Sequence, residues 1–191
     1  MYGAILGDMI GSPYEFDRGS KTKDFPLFSW DSRFTDDSVM TVAAAEALMD
    51  TPRGTEGKVK SALVRSLQKW GRRYPNAGYG SSFAYWLEAK SPKPYGSYGN
   101  GSAMRVSAVG WLYETLNATR KVARWTAEIT HNHPEGIKGA ESVAMAIYLA
   151  RRGASMDEIR DRMIEYYPEI ATLKVDKIRE VIGSGGKTIQ K

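Results

Sequence analysis

The run Val59-Lys60-Ser61-Ala62-Leu63-Val64-Arg65-Ser66-Leu67-Gln68-Lys69-Trp70 decides the fold class of this chain. Its apolar residues recur every three or four positions, so they share one face of an α-helix. The helix is expected to end near Gly71, before Pro75, because glycine and proline are both unfavourable inside a helix. The run therefore predicts an amphipathic helix that packs on an apolar core.

The same helical spacing recurs along the chain. It covers residues 39–48, 122–129 and 137–148, and a shorter stretch at 173–182. Ser155 followed by Glu158 matches a capping box, in which each side chain accepts a hydrogen bond from the other residue's backbone N–H, and this helix is expected to close at Pro168. No segment shows the sustained alternation that is typical of a half-buried strand. We therefore expect an all-α fold.

The composition is that of a soluble globular protein, with 42% hydrophobic and 26% charged residues, and we expect one domain over residues 1–191. No window approaches the roughly 18 apolar residues that span a bilayer, and Asp8 interrupts the first apolar run, so neither a membrane segment nor an export signal is expected. The lack of cysteine suits the cytoplasm. The net charge of +5 is scattered among acidic residues, so no nucleic-acid partner is expected.

Thr35-Asp36-Asp37-Ser38 offers two adjacent carboxylates flanked by hydroxyls, just before the helix at 39–48. These are hard oxygen ligands of the kind that Mg²⁺ and Mn²⁺ prefer. Helix capping explains the same residues, because Thr35 is a good N-cap and aspartate is favoured in a first helical turn. The motif alone leaves both interpretations open.

The segment from Gly96 to Arg105 is a glycine-rich loop that runs into a helical stretch. Its backbone N–H groups could hold phosphate or ribose oxygens. The alternative is a flexible turn with a helix cap at Ser102. A second loop, residues 75–81, is also rich in proline and glycine, and both loops are candidate ligand loops.

Two further side chains could take part in chemistry. His131 could donate to a phosphate or transfer a proton, but a histidine in a last helical turn also interacts with free carbonyls. The spacing of His131 and His133 suits a metal, although the chain has no third nitrogen or sulfur ligand, which argues against zinc. Glu15 follows Gly11-Ser12-Pro13-Tyr14 in an early loop, where it could be a general base or a solvated surface residue.

Taken in order, these motifs resemble the ADP-ribosylglycohydrolase family. The resemblance is carried by Gly3-Ala4-Ile5-Leu6-Gly7-Asp8 with Gly11-Ser12-Pro13-Tyr14-Glu15, by Phe34-Thr35-Asp36-Asp37-Ser38, by Gly78-Tyr79-Gly80, by residues 96–105 and by Thr130-His131. It covers the chain up to about Tyr167. The ordered set is far more specific than any single motif.

The resemblance implies a compact all-α helical bundle with a pair of divalent ions, Mg²⁺ or Mn²⁺, at the base of an ADP-ribose cleft. It implies that Thr35, Asp36 and Asp37 are metal ligands and that Glu15, Asp36 and Asp37 take part in catalysis. The cleft would be lined by Gly78, Gly80, Gly96, Ser97, Tyr98, Asn100 and His131. The implied reaction is hydrolysis of the N- or O-glycosidic bond between ADP-ribose and a modified protein or small molecule.

The sequence departs from the family at its second acidic motif, Gly-Gly-Asp-Ser/Thr-Asp-Thr. Here Gly185-Gly186-Lys187-Thr188 is the only trace of it, and a lysine stands where an acid is needed. An ammonium group opposes cation binding, so we expect an incomplete metal site. Because the sequence stops at Lys191, we also expect a bundle that lacks the usual C-terminal helices. Three functions stay open: a hydrolase, a non-catalytic module that binds ADP-ribose or a nucleotide, and a structural relative that forms homo-oligomers to cover apolar faces.

Overall fold

The computed structural model describes residues 1–15 and 24–172, and these residues form a helical bundle. The eight α-helices of this part of the chain are α1 (Tyr2–Gly11), α2 (Asp36–Asp50), α3 (Glu56–Arg73), α4 (Ser81–Glu88), α5 (Ser107–Leu112), α6 (Leu116–Glu128), α7 (Pro134–Arg151) and α8 (Met156–Ile164). Short 3₁₀ turns lie at Ser12–Tyr14, Asn100–Ser102 and Pro168–Ala171. The described residues contain no strand, and the all-α prediction is confirmed.

Helix α2 is the central element of the bundle. It contacts α1, α3 and α5, and its buried residues lie on nearly every side rather than along one stripe. Met40, Ala43, Ala44, Ala47 and Leu48 are all almost completely buried. Because alanine is small, it lets the neighbouring helices approach α2 closely, which fixes the position of the first turn of α2 within the molecule.

Helices α6 and α7 form the second closely packed pair, and α5 packs against both. Glu141 of α7 is 3% exposed and accepts hydrogen bonds from Arg120 and Arg124 of α6 at 2.9 and 2.8 Å. Lys60 of α3 donates to Glu128 of α6 at 2.6 Å and so joins the two pairs. The site described below lies where the first turn of α2 meets the loop that precedes α5 and the segment that connects α6 to α7.

The helix around Val59 is confirmed, and α3 ends at Arg73, two residues past Gly71 and before Pro75. Gly71 is buried, and a Cβ atom there would lie 2.5 Å from the Leu87 side chain of α4. The glycine therefore allows α4 to pack against α3 and does not end the helix.

The capping box is confirmed in full. The Ser155 hydroxyl oxygen accepts from the Glu158 backbone N–H at 3.2 Å, and the Glu158 carboxylate accepts from the Ser155 N–H at 2.7 Å. The helices predicted around residues 39–48, 122–129 and 137–148 are present as α2, α6 and α7. The helix predicted at 173–182 lies outside the described residues. Within the described part of the chain, no helix is both long and apolar enough to cross a membrane.

Candidate functional site

The first turn of α2 is tied to α1 through Asp8. The Asp8 carboxylate accepts hydrogen bonds from the backbone N–H and hydroxyl of Thr35, at 2.8 and 2.6 Å, and from the same two groups of Ser38. Thr35 also caps α2, because its hydroxyl oxygen accepts from the Asp37 N–H at 3.3 Å. Since the Thr35 hydroxyl gives its proton to Asp8, its oxygen presents lone pairs to its surroundings.

The carboxylates of Asp8, Glu15 and Asp37 form an acidic cluster beside this turn. One oxygen of each lies within 4.8 Å of the others. Burial, followed by the charges of Asp8 and Glu15, raises the pKa of Asp37 to about 6. Burial, followed by the charge of Asp37, raises the pKa of Asp36 to about 7. A cation would offset this crowding of negative charge, and the donor set of carboxylate and hydroxyl oxygens fits a hard divalent ion.

A cleft of about 470 Å³ opens next to the acidic cluster. Its wall includes Asp36, which adjoins the acidic cluster, and also Tyr95, Met104 and Arg105. The residues predicted to line a pocket and found in its wall are Gly80, Gly96, Ser97, Tyr98, Asn100 and His131. The structure therefore brings the glycine-rich loop, His131 and the first turn of α2 together around one space.

Gly78 lies beside the carboxylate of Asp36, outside the set of residues that line the cleft. Its φ of +103° belongs to the left-handed region, which side-chain-bearing residues avoid, and a Cβ atom there would be 3.6 Å from Asp36 Oδ1. The Asp36 backbone N–H donates to the Ala77 carbonyl at 2.9 Å. These contacts hold the loop at residues 75–80 against α2. Glu15 and Asp37 belong to the acidic cluster, and Thr35 adjoins it through Asp8 and Asp37. None of these three predicted residues is part of the cleft wall.

The glycine-rich loop is fastened to the segment that connects α6 and α7. The Gly96 N–H donates to Asn132 Oδ1 at 2.7 Å, and the Tyr95 N–H donates to the Thr130 carbonyl at 3.1 Å. The Ser102 hydroxyl donates to the Gly136 carbonyl at 2.7 Å. The alternative that made Ser102 a helix cap is therefore wrong, since α5 begins at Ser107.

The two histidines have different surroundings. His131 is 5% exposed, and burial, followed by the charge of Arg105, lowers its pKa to about 4. His133 is exposed and caps α7, because its Nδ1 accepts from the Glu135 N–H at 3.2 Å. Neither belongs to the acidic cluster of Asp8, Glu15 and Asp37, the group among the described residues that could hold a metal ion.

Two residues of the site were not predicted as functional from the sequence. Asp8 orients Thr35 and contributes to the acidic cluster, and its sequence signal was the charge that interrupts an apolar run. Arg105 is fully buried and lines the cleft. Its signal was a charged residue at the end of the glycine-rich loop, directly before Val106 and the buried part of α5. Both depend on partners more than twenty residues away, which the local pattern does not reveal.

The chain is similar to curated proteins of more than one kind. It is 42% identical over 78 residues to a polyribonucleotide nucleotidyltransferase of Phenylobacterium zucineum, a match that covers 40% of this chain and 10% of that protein. It is 29% identical over 185 residues to the ADP-ribosylhydrolase ARH3 of Mus musculus, covering 82% of this chain and 49% of that protein. The human ARH3 is also 29% identical, over 181 residues, with 82% and 50% covered.

The chain thus spans about half the length of the ARH3 proteins that it matches. The sequence profile of the ADP-ribosylglycohydrolase family matches residues 1–189. The match extends over almost the entire sequence, and it includes every motif that lines the cleft or forms the acidic cluster. This protein therefore belongs to the ADP-ribosylglycohydrolase family.

Proposed function

We propose that this chain binds ADP-ribose in the cleft and hydrolyses the N- or O-glycosidic bond that joins ADP-ribose to a modified protein or small molecule. One observation carries the proposal: Asp36 faces the same cleft as the glycine-rich loop and His131, and it adjoins the acidic cluster. A cleft of about 470 Å³ lies within the range of roughly 300–1,000 Å³ that is usual for small-molecule sites. The ARH3 relatives are ADP-ribosylhydrolases by name, which supports the same activity here.

In this proposal the two sides of the cleft have different roles. The backbone of residues 97–101 and the imidazole of His131 hold the ligand, because N–H groups suit the oxygens of a diphosphate. Thr35, Asp36 and Asp37 hold Mg²⁺ or Mn²⁺, and Asp8 fixes the hydroxyl of Thr35 for that purpose. A bound divalent ion would orient the ribose hydroxyls and make a nearby water more acidic.

The reaction breaks the bond between the anomeric carbon of ribose and the nitrogen or oxygen of the target. Water supplies the oxygen that forms the new bond to this carbon, one water proton goes to a carboxylate, and the leaving group takes up a proton. Glu15 is suited to accept the proton, since its carboxylate lies within 4.8 Å of those of Asp8 and Asp37. The surrounding carboxylates stabilise the positive charge that develops on the sugar.

Lys187 stands where the family motif has an acid. Hydrolysis of the glycosidic bond and binding of ADP-ribose without cleavage are therefore separate possible outcomes. If the acidic cluster cannot hold its ions without a second acidic motif, the chain binds ADP-ribose but does not cleave it. A relative that has lost the site altogether would bind nothing, and light scattering would then show whether it forms homo-oligomers.

The experiment is to incubate the purified chain with Mg²⁺ and with peptides ADP-ribosylated on arginine or on serine, and to measure released ADP-ribose. We expect release that is lost in Asp36→Ala. Asp50→Ala is the matched control, because Asp50 lies on the same helix at its exposed far end.

Calorimetry with ADP-ribose, with and without Mg²⁺, tests binding separately. Binding that strengthens with Mg²⁺ supports the proposal. An affinity for ADP-ribose that is the same with and without Mg²⁺, together with no release of ADP-ribose, supports the non-catalytic module. The absence of both binding and release from a folded chain would reject the proposed function.

We propose RNA binding as a second candidate function, favoured by the match to a polyribonucleotide nucleotidyltransferase. Gly183-Ser184-Gly185-Gly186 has the Gly-x-x-Gly pattern by which KH domains clamp the backbone of single-stranded nucleic acid. Residues 173–191 contain five basic residues and two acidic ones, so positive charge is denser here than the whole-chain composition suggests. These residues lie outside the described part of the chain, and the argument rests on sequence alone.

Fluorescence anisotropy with a short single-stranded RNA tests this second function. The unchanged chain is expected to bind the RNA strongly at low salt. Gly185→Asp places a carboxylate in the Gly-x-x-Gly pattern, which repels the RNA phosphates, and is expected to abolish this binding. Gly57→Asp is the charge-matched control, because Gly57 lies in the first turn of α3 with open space around it. Equal binding by both variants, or none by the unchanged chain, would refute RNA binding through this segment.

A further inference from the structure

Arg105 is a fully buried cation inside the wall of the cleft. One of its terminal nitrogens, Nη2, donates to the Thr126 carbonyl at 2.6 Å and to the Thr130 hydroxyl at 2.7 Å. No carboxylate among the described residues forms an ion pair with it. Burial lowers the pKa of Arg105 to about 10, so it keeps its charge at neutral pH. A buried guanidinium can only donate, which makes the direction of these hydrogen bonds certain.

The hydrogen bond from Arg105 also determines the direction of the hydrogen bond between the Thr130 hydroxyl and His131. Its oxygen accepts from Arg105, so its single proton must go to another acceptor. His131 Nδ1 lies 2.7 Å from the hydroxyl oxygen and is the only such acceptor within the described residues. The neutral imidazole therefore has an unprotonated Nδ1 and carries its proton on Nε2.

Nε2 is directed to the edge of the cleft. A Cβ atom on Gly101 would lie 2.9 Å from it, and Gly101 itself lines the cleft. Within the described residues Nε2 has no hydrogen-bond partner, in contrast to Nδ1. The Tyr95 ring lies beside the imidazole, with the two ring centroids 5.8 Å apart.

We propose that Arg105 and Thr130 are positioning residues that fix His131 as an Nε2–H donor for an anionic oxygen of the bound ligand. The proposal rests on the proposed function for the identity of the ligand, whose diphosphate offers such oxygens. It adds that the donor is the neutral imidazole, held in one tautomer by a chain of hydrogen bonds from a buried cation. Because only Nε2 can donate, a diphosphate oxygen is held and an N–H donor of a competing ligand is rejected.

The tautomer can be measured without any ligand, by long-range proton–nitrogen NMR of the imidazole nitrogens near neutral pH. His133 is the only other histidine in the chain and serves as an exposed reference. We expect the His131 signal to show a proton on Nε2 alone. A proton on Nδ1 in the unchanged protein would overturn the proposal.

Three variants separate the hydrogen-bond chain from general packing. Thr130→Val should give a mixture of both tautomers, whereas Thr130→Ser, which keeps the hydroxyl, should preserve the Nε2–H form. Thr126→Val is the matched control, because its equally buried hydroxyl donates to the Ala123 carbonyl and does not touch His131. If Thr130→Val keeps the single Nε2–H tautomer, the hydrogen bonds from Arg105 through Thr130 do not position His131, and the proposal is refuted.

Calorimetry with ADP-ribose then connects the tautomer with binding. Thr130→Val should bind roughly tenfold more weakly, since a hydrogen bond to a charged oxygen is lost or misaligned, while Thr130→Ser and Thr126→Val should stay within about twofold. Equal weakening in Thr130→Val and Thr126→Val would contradict the proposal. If the unchanged chain shows the expected tautomer but binds no ADP-ribose, the proposed function fails and the assignment of the hydrogen-bond chain stands.

Discussion

The partly exposed carboxylate of Glu46 joins helices α2 and α3. It lies on α2 and accepts hydrogen bonds from three side chains of α3: Lys69 Nζ at 2.6 Å, Ser66 Oγ at 2.7 Å and Trp70 Nε1 at 2.7 Å. These donors, with Lys69 first, lower the pKa of Glu46 to about 2 from an ordinary value of 4.5. The ionised form is therefore favoured in the folded state.

The pH dependence of stability follows from this shift. The contribution of Glu46 is fully present above about pH 4.5 and is lost as the pH falls toward 2, because the carboxylate must then take up a proton. Glu46→Gln should lower stability near neutral pH by about 1 kcal/mol, reduced by the partial exposure of the pair, and flatten the loss in acid. Urea unfolding at several pH values measures both. Glu88→Gln is the control, since Glu88 is largely exposed and lies 3.8 Å from Arg72.

At the scale of elements, the junction of α6 and α7 depends on one buried carboxylate. Glu141 is 3% exposed, whereas Arg120 and Arg124 are about half exposed. Glu141→Gln leaves both guanidinium groups without a counter-charge and should destabilise the fold by about 1–3 kcal/mol. Glu165→Gln removes an exposed ion pair with Arg162 and should change stability by less than about 0.5 kcal/mol. Similar losses of unfolding free energy in the two variants would show that burial of Glu141 is unimportant.

The same elements explain what the sequence could predict. Helices such as α3 and α6 have one apolar face, and their pattern predicts their position closely. Helix α1 buries none of its residues, and α5 is six residues long, so neither offers enough periodicity to be found. The motif order located Asp36 and the glycine-rich loop, but the roles of Asp8 and Arg105 come from tertiary hydrogen bonds that no local pattern contains.

For the molecule as a whole, the acidic cluster is a local concentration of negative charge on a chain whose net charge is +5. Asp8, Glu15 and Asp37 repel one another at distances below 4.8 Å, partly out of water. In the metal-free protein this repulsion opposes folding, and a protein retains such a destabilising group where function requires it. The proposed divalent ion would convert the same arrangement into a stabilising one.

The acidic cluster should destabilise the metal-free protein and stabilise the Mg²⁺-bound one, and both effects can be measured without catalysis. Asp37→Asn removes one charge and should raise the unfolding free energy of the metal-free chain by about 1 kcal/mol, as expected for close carboxylates near a protein surface. Added Mg²⁺ should stabilise the unchanged chain, by about 2.7 kcal/mol at a hundredfold excess over its dissociation constant, and should have little effect on Asp37→Asn. Thermal unfolding with and without Mg²⁺ measures both effects, with Asp50→Asn as the control on the same helix. If Mg²⁺ stabilises Asp37→Asn as much as the unchanged chain, its binding site lies elsewhere, since a ligand stabilises the fold only through contacts that the folded state provides.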